Sequence, residues 1–290
     1  MMVDLLGWGR KKDGAKYYGG DNGNGDENPL PSSDTTLPST KPNVSMFRSE
    51  IGGQIGIETV DIYGERVPLD TYMIRLLEKV HEEVMKINDW IFCIAGRRGS
   101  GKSILALRIA KYLEYLSGRR FNAQKQTFYT LPQLAEYLRE VRDEPRPSGR
   151  VLLFDEAHFL FNKRESMKKE SIIFTKILSA FRDWGLIYIF VLPRFSHIDV
   201  MLRECDVDTL FYLHYDRVSS IRKLYAYAGD RVVGISSELD LRNKWASYWT
   251  YFDINPIPKE KEYVDRKKFE VQNEILEEVI EMAQREKGGG

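Results

Sequence analysis

Two short stretches hold the residues with the most chemistry to offer. The first is Gly96, Arg97, Arg98, Gly99, Ser100, Gly101, Lys102 and Ser103, followed by Ile104. Its glycines let the backbone wrap its amides around one anion, because a missing side chain permits both close approach and left-handed dihedrals. Lys102 is spaced to reach the β- and γ-phosphates of a bound nucleotide, and Ser103 to put its hydroxyl on Mg²⁺. A helix starting near Gly101 would aim its positive end at the same phosphates. The second stretch is Asp155-Glu156, which ends the apolar run Val151 to Phe154. An acid at a strand's end can hold Mg²⁺ through water opposite Ser103, and the next acid can polarise a water for attack on the γ-phosphate. The pair of stretches therefore points to hydrolysis of a nucleoside triphosphate, with Lys102 and Glu156 as catalytic residues and Ser103 and Asp155 at the metal.

These residues need a rigid frame, and the flanking patterns supply one. Residues 90–95 form an unbroken apolar run of strand length. Over 104–117 the residues Leu105, Ile109, Tyr112, Leu113 and Leu116 share one helical face before Gly118 stops the helix. Further strands are predicted at Gln126 to Thr130, at Val151 to Phe154, at Leu186 to Leu192 and at Thr209 to Tyr215, with helices over 131–141, 171–184 and 198–204. Buried-type strands alternating with helices predict an α/β fold with a mostly parallel sheet of about five strands, covered on both faces. Ile221 to Tyr227 and Arg231 to Ile235 read as an appended antiparallel hairpin.

Upstream, 51–68 suits a small hairpin turning at Gly64. A helix over 70–88 follows, capped by Asp70, with Met73, Leu76, Leu77, Val80, Val84 and Ile87 on one face. Downstream, Trp245, Tyr248, Trp249, Tyr251 and Phe252 are expected to pack on the core, with stacking on a base or a neighbouring subunit as the alternative. A linker at 255–258 leads to a peripheral helix from Val264 to Lys287, whose Leu276, Val279, Ile280 and Ala283 make a narrow stripe. The chain thus divides into a disordered tail (1–48), a hairpin and helix (49–88), the core (89–253), and a linker with the peripheral C-terminal helix (254–290).

Composition narrows the class. With 290 residues, 42% of them hydrophobic, one large α/β domain can bury a proper core. Lys plus Arg and Asp plus Glu both number 43, so no global field steers the chain to a polyanion and any such binding must be local. Cys93 and Cys205 read as small buried hydrophobes and suit a reducing cytoplasm. No apolar run approaches the ~20 residues of a membrane helix and no signal peptide is recognised, so a cytoplasmic location without membrane insertion is expected. Residues 9–45 carry almost no aliphatic side chains, too few to offset ordering entropy. Ahead of them Val3, Leu5, Leu6 and Trp8 are either a docking motif for a partner or incidental apolar residues of a frayed start. His81, His158, His197 and His214 show no zinc-ligand spacing with each other or with the cysteines.

On Gly96 to Ser103, on Asp155-Glu156 and on the layout Phe181 to Gly185, Leu186 to Leu192 and Arg203, the chain resembles P-loop ATPases with a catalytic glutamate. The resemblance is to the FtsK/HerA-like DNA translocases and packaging ATPases, with zonula-occludens-toxin-like ATPases as close kin. It implies a P-loop NTPase with a RecA- and AAA-like sheet, ATP and Mg²⁺ as cofactors, and self-association in a ring, a hexamer. It also implies DNA as partner, in a prokaryotic host cytoplasm if the chain is viral or plasmid-borne. Such proteins end the strand after the glutamate with a polar sensor. Here the strand runs into Leu192, Pro193, Arg194, Phe195 and Ser196, which leaves Arg194 or Ser196 for that part. The string Asp155-Glu-Ala-His158 is like that of DEAH helicases, whose other motifs do not fit in this length.

By the same resemblance Arg203 is a candidate arginine finger for the neighbouring subunit's nucleotide, held by Asp206 and Asp208 until assembly, with Arg194 and Arg182 as reserves. A structural salt bridge to Glu204 or Asp206 is the alternative. Lys163, Arg164, Lys168 and Lys169 follow the catalytic strand where ring translocases aim loops at their channel, and would contact DNA phosphates without reading sequence. A solvated loop balanced by Glu165 and Glu170 fits them equally. Arg10 to Lys12, Arg119-Arg120 and Lys267-Lys268 are read as solvated faces. The function expected is ATP-driven movement or packaging of DNA by a ring, against a nucleotide-gated assembly or morphogenesis factor that moves no nucleic acid.

Overall fold

The computed structural model describes residues 44–47, 56–86, 88–144, 147–157, 165–195, 207–228, 232, 235, 240–241 and 246–288. The chain divides into Met1–Pro42 and Asn43–Gly290, and every described residue lies in the second unit.

The central strand is β4 (Trp90–Gly96), with all of its residues buried. It runs parallel between β6 (Ile187–Leu192) and β7 (Thr209–Asp216), and β5 (Val151–Phe154) pairs parallel with the far edge of β6. The order β5-β6-β4-β7 is completed by β8 (Ile221–Ala228) and β9 (Tyr248–Tyr251), both antiparallel to their neighbours. Strands β4, β5 and β6 are continuous apolar runs, as expected when both faces of a sheet are covered, while β7 is apolar over Leu210–Leu213 and turns polar toward Asp216. This is the P-loop NTPase α/β fold anticipated from the motifs, with four parallel strands in place of about five and two antiparallel strands appended.

The helix after the phosphate loop, α2 (Lys102–Leu116), is buried from Ile104 to Glu114 on nearly every side, although its spacing predicted a single apolar face. It is enclosed because a second layer covers what the sheet does not. That layer holds α1 (Thr71–Val84), a three-stranded antiparallel sheet of β1 (Val44–Phe47), β2 (Ile57–Ile62) and β3 (Glu65–Asp70), and the C-terminal helix α6 (Glu260–Gly288). Polar residues survive in the enclosed helix by pairing: Arg108 donates to the carbonyls of Asp253 (2.7 Å) and Pro256 (3.0 Å), and Lys111 pairs with Glu65 and with Glu260 (2.8 Å). The remaining helices are α3 (Ala123–Gln126), α4 (Leu131–Arg142) and α5 (Glu165–Ala180).

Several sequence expectations are refined. The hairpin turning at Gly64 and the cap at Asp70 are present, the latter accepting from the Tyr72 amide at 2.8 Å. Val44–Phe47, placed in a disordered tail, pairs with β2 instead. Gln126 to Thr130 is no strand: α3 occupies its start, and Thr127 makes only an isolated parallel bridge to Leu153. The partner of Ile221 to Ala228 is not 231–235, whose described residues Val232 and Ile235 lie outside any strand, but β7 on one side and β9 on the other. Trp249 and Tyr251, expected in the core, stand about half-exposed on the edge strand β9. Phe252 does pack inward, against the start of α2. Cys205, Ile87, Trp245, His158, His197 and the predicted helix 198–204 lie outside the described residues, as does the segment Met1 to Trp8. Among the described residues, no helix is long and apolar enough to cross a membrane.

Candidate active site

Strand β4 delivers the loop. Gly96 sits so close to β7 that a Cβ there would meet the Leu213 carbonyl oxygen at 2.3 Å, so the loop can leave the sheet only from a glycine. Gly101 is left-handed (φ 97°) at the head of α2, where a Cβ would lie 2.7 Å from the Phe252 ring. Between them Arg97, Arg98 and Gly99 are exposed, while Ser100 is fully buried and its Oγ has no hydrogen-bond partner among the described residues. Ile104 is buried in the first turn of α2. The Lys102 ammonium donates to the Arg97 carbonyl at 3.2 Å, which folds the side chain back over its own loop. Burial, and after it the nearby Lys268, pushes the Lys102 pKa down to about 8, against the pull of Asp155.

Strand β5 delivers the acids. Asp155 is 1% exposed, and its Oδ1 accepts from Ser103 Oγ at 2.9 Å. Its Oδ2 has no partner among the described residues. Burial raises its pKa, opposed by Lys268 and then by the Ser103 hydrogen bond. A buried carboxylate oxygen with nothing bonded to it is uncommon, and a hydroxyl beside it completes a pair of hard oxygen donors. These residues fit Mg²⁺, which when bound would supply positive charge to the phosphate oxygens. Glu156 follows in the left-handed region (φ 60°), a conformation that costs a non-glycine residue energy and is often held at functional sites. Its carboxylate forms an ion pair with Lys268 of α6.

Glu114 of α2 locks the two halves together. Its fully buried carboxylate accepts from the Val151 amide at 2.9 Å, from Arg119 Nε at 2.9 Å and from Gln126 Nε2, so the helix that follows the loop is tied to the start of β5. Arg119, read as a solvated face, is thus structural.

Residues 92–210 match the model of the ATPase family associated with various cellular activities (AAA). The chain carries an ATP-hydrolase domain. No curated protein matches the sequence. Among solved structures, the N-terminal domain of zonular occludens toxin from Neisseria meningitidis is similar, at 15% identity over 60% of this chain and 96% of that chain, with a TM-score of 0.38.

In this ATPase domain the structure brings together Gly96 to Ile104, Asp155 and Glu156. It does not unite every residue singled out. Arg203, Lys163 and Arg164 lie outside the described residues, as do Ser196 and Asp206. Lys168 and Lys169 stand in the first turns of α5, where only the backbone is described. Arg182 is exposed, 4.0 Å from Asp89, and Arg194 is exposed just past β6. Asp208, expected to hold Arg203, accepts from the Ile91 amide at 2.9 Å and so fixes β4 against β7. Two neighbours of the site were missed. Arg222 of β8 reaches toward the Gly99 carbonyl (3.5 Å) with its guanidinium 4.2 Å from the Tyr215 ring centre, and Lys268 was read as solvated. A basic residue in an alternating strand or a charged helix carries no local signal of such long-range contacts.

Proposed function

We propose that this chain is a Mg²⁺- and ATP-dependent motor of the DNA-translocating or packaging kind, working as a ring of copies. The observation that supports the chemistry best is the joining of Ser103 to Asp155 at 2.9 Å with Glu156 next in the chain. Lys102 and the loop amides hold the phosphates, Ser103 and Asp155 hold the metal, and Glu156 takes the proton of the attacking water. Ring formation and DNA as cargo are supported by the resemblance of the motifs and by the order of the chain. The segment that follows Glu156 in the chain carries Lys163, Arg164, Lys168 and Lys169, charges suited to sequence-blind contact with DNA phosphates.

The test is ATP turnover with and without double-stranded DNA at two salt concentrations, on the parent and on a variant with all four basic residues neutralised. Stimulation by DNA in the parent, lost in the variant with basal turnover kept, is the expected result. Turnover indifferent to DNA in both would favour a nucleotide-gated assembly factor.

A further inference from the structure

The C-terminal helix reaches the catalytic centre, and its mode of attachment says what it does there. Its first turns are anchored on the ATPase domain independently of the site. Val264 is fully buried, its carbonyl accepts from the Tyr129 hydroxyl at 3.1 Å, and Glu260 pairs with Lys111 at 2.8 Å. One turn beyond Val264, on the same face, stands Lys268. Its ammonium is paired with Glu156 and faces Asp155, Lys102 and Arg98 as well. The neighbouring Lys267 points elsewhere and pairs with Glu270 at 2.7 Å.

A carboxylate that is to take a proton from water must be a base with a lone pair turned toward that water. An ammonium bonded to it occupies one of its oxygens and holds the carboxylate in one direction, so that oxygen is not turned to the water. The anchoring contacts do not involve Lys268, so the pair with Glu156 is not needed to seat the helix. Glu156 is also held in a left-handed conformation that its surroundings must fix.

We propose that α6 is a built-in brake on hydrolysis, in which Lys268 restrains the Glu156 carboxylate from activating water. The brake rests on the role given to Glu156 above. It differs from a phosphate-binding role for Lys268, which would aid the reaction.

The experiment compares ATP turnover per site and triphosphate affinity, the latter by calorimetry with a non-hydrolysable analogue, in full-length variants. Lys268→Ala should raise turnover about fivefold, the scale of a partly buried ion pair, with affinity changed no more than about twofold. Lys268→Arg, which keeps a cation there, should recover most of the restraint, and Lys267→Ala should leave turnover alone. Lys268→Gln serves if the alanine variant fails to fold. Turnover that is unchanged, or that falls together with affinity, overturns the brake. Glu156→Gln separates the two failures: if it is inactive while Lys268→Ala gives no rise, only the brake is wrong. If the double variant turns over as fast as Lys268→Ala alone, the role of Glu156 is wrong instead.

Discussion

Ser103 Oγ stands 2.9 Å from Asp155 Oδ1, across the gap between the head of α2 and the tip of β5. That one contact brings together two stretches far apart in sequence and leaves the second Asp155 oxygen without a partner among the described residues. Asp155→Asn keeps the size and an acceptor for the Ser103 hydroxyl but removes the charge. Mg²⁺ affinity in the nucleotide complex should fall at least about tenfold, read from the metal dependence of nucleotide binding. Stability should hold or rise, because burial already disfavours the ionised acid.

The restriction at Gly96 is a backbone matter. A methyl group there meets the Leu213 carbonyl at 2.3 Å, and neither strand can retreat without breaking the β4–β7 ladder. Gly96→Ala should destabilise the protein by about 2–4 kcal/mol in urea unfolding. A loss under about 1 kcal/mol would mean that the strands part more easily than their pairing implies.

Glu114 carries a buried charge whose partners converge from α3, β5 and the loop after α2. Glu114→Gln leaves Arg119 without its anion and mismatches the Val151 amide and Gln126, for an expected loss of about 3–5 kcal/mol by the same measurement. The loop residues are untouched, so any folded fraction should still bind nucleotide.

The depressed pKa of Lys102 sets a pH dependence. Its folded value of about 8 lies below the ordinary 10.5, so folding favours the neutral amine. The group costs stability below about pH 8, and that cost fades as pH rises toward 10.5. A bound triphosphate favours the ammonium. Affinity should therefore be greatest below about pH 8 and fall above it, by at most about tenfold per pH unit. Titration of triphosphate binding between pH 7 and 9.5 checks this, and a flat profile would contradict it.

The loop, both acids and the parallel core were legible because each is a local pattern: glycine spacing, an acid after an apolar run, unbroken apolar strands. The misses share a different cause. Lys268, Glu114, Arg222 and Asp208 act through partners far away in sequence, and nothing beside them in the chain announces those partners. Gln126 to Thr130 has strand-like composition, yet the Asn122 side chain caps a turn of helix there by accepting from the Gln124 amide at 3.0 Å. Trp249 and Tyr251 have core-like composition, but β9 is an edge strand and turns them outward.

The central claim is that Glu156 activates the water that attacks ATP. It is tested most directly by Glu156→Gln, comparing Mg²⁺-dependent ATP turnover with ATP affinity under identical conditions. Glutamine keeps the size but cannot take the proton, so turnover should fall by about a hundredfold or more while ATP still binds and persists unhydrolysed. Turnover near the parent rate would contradict the account.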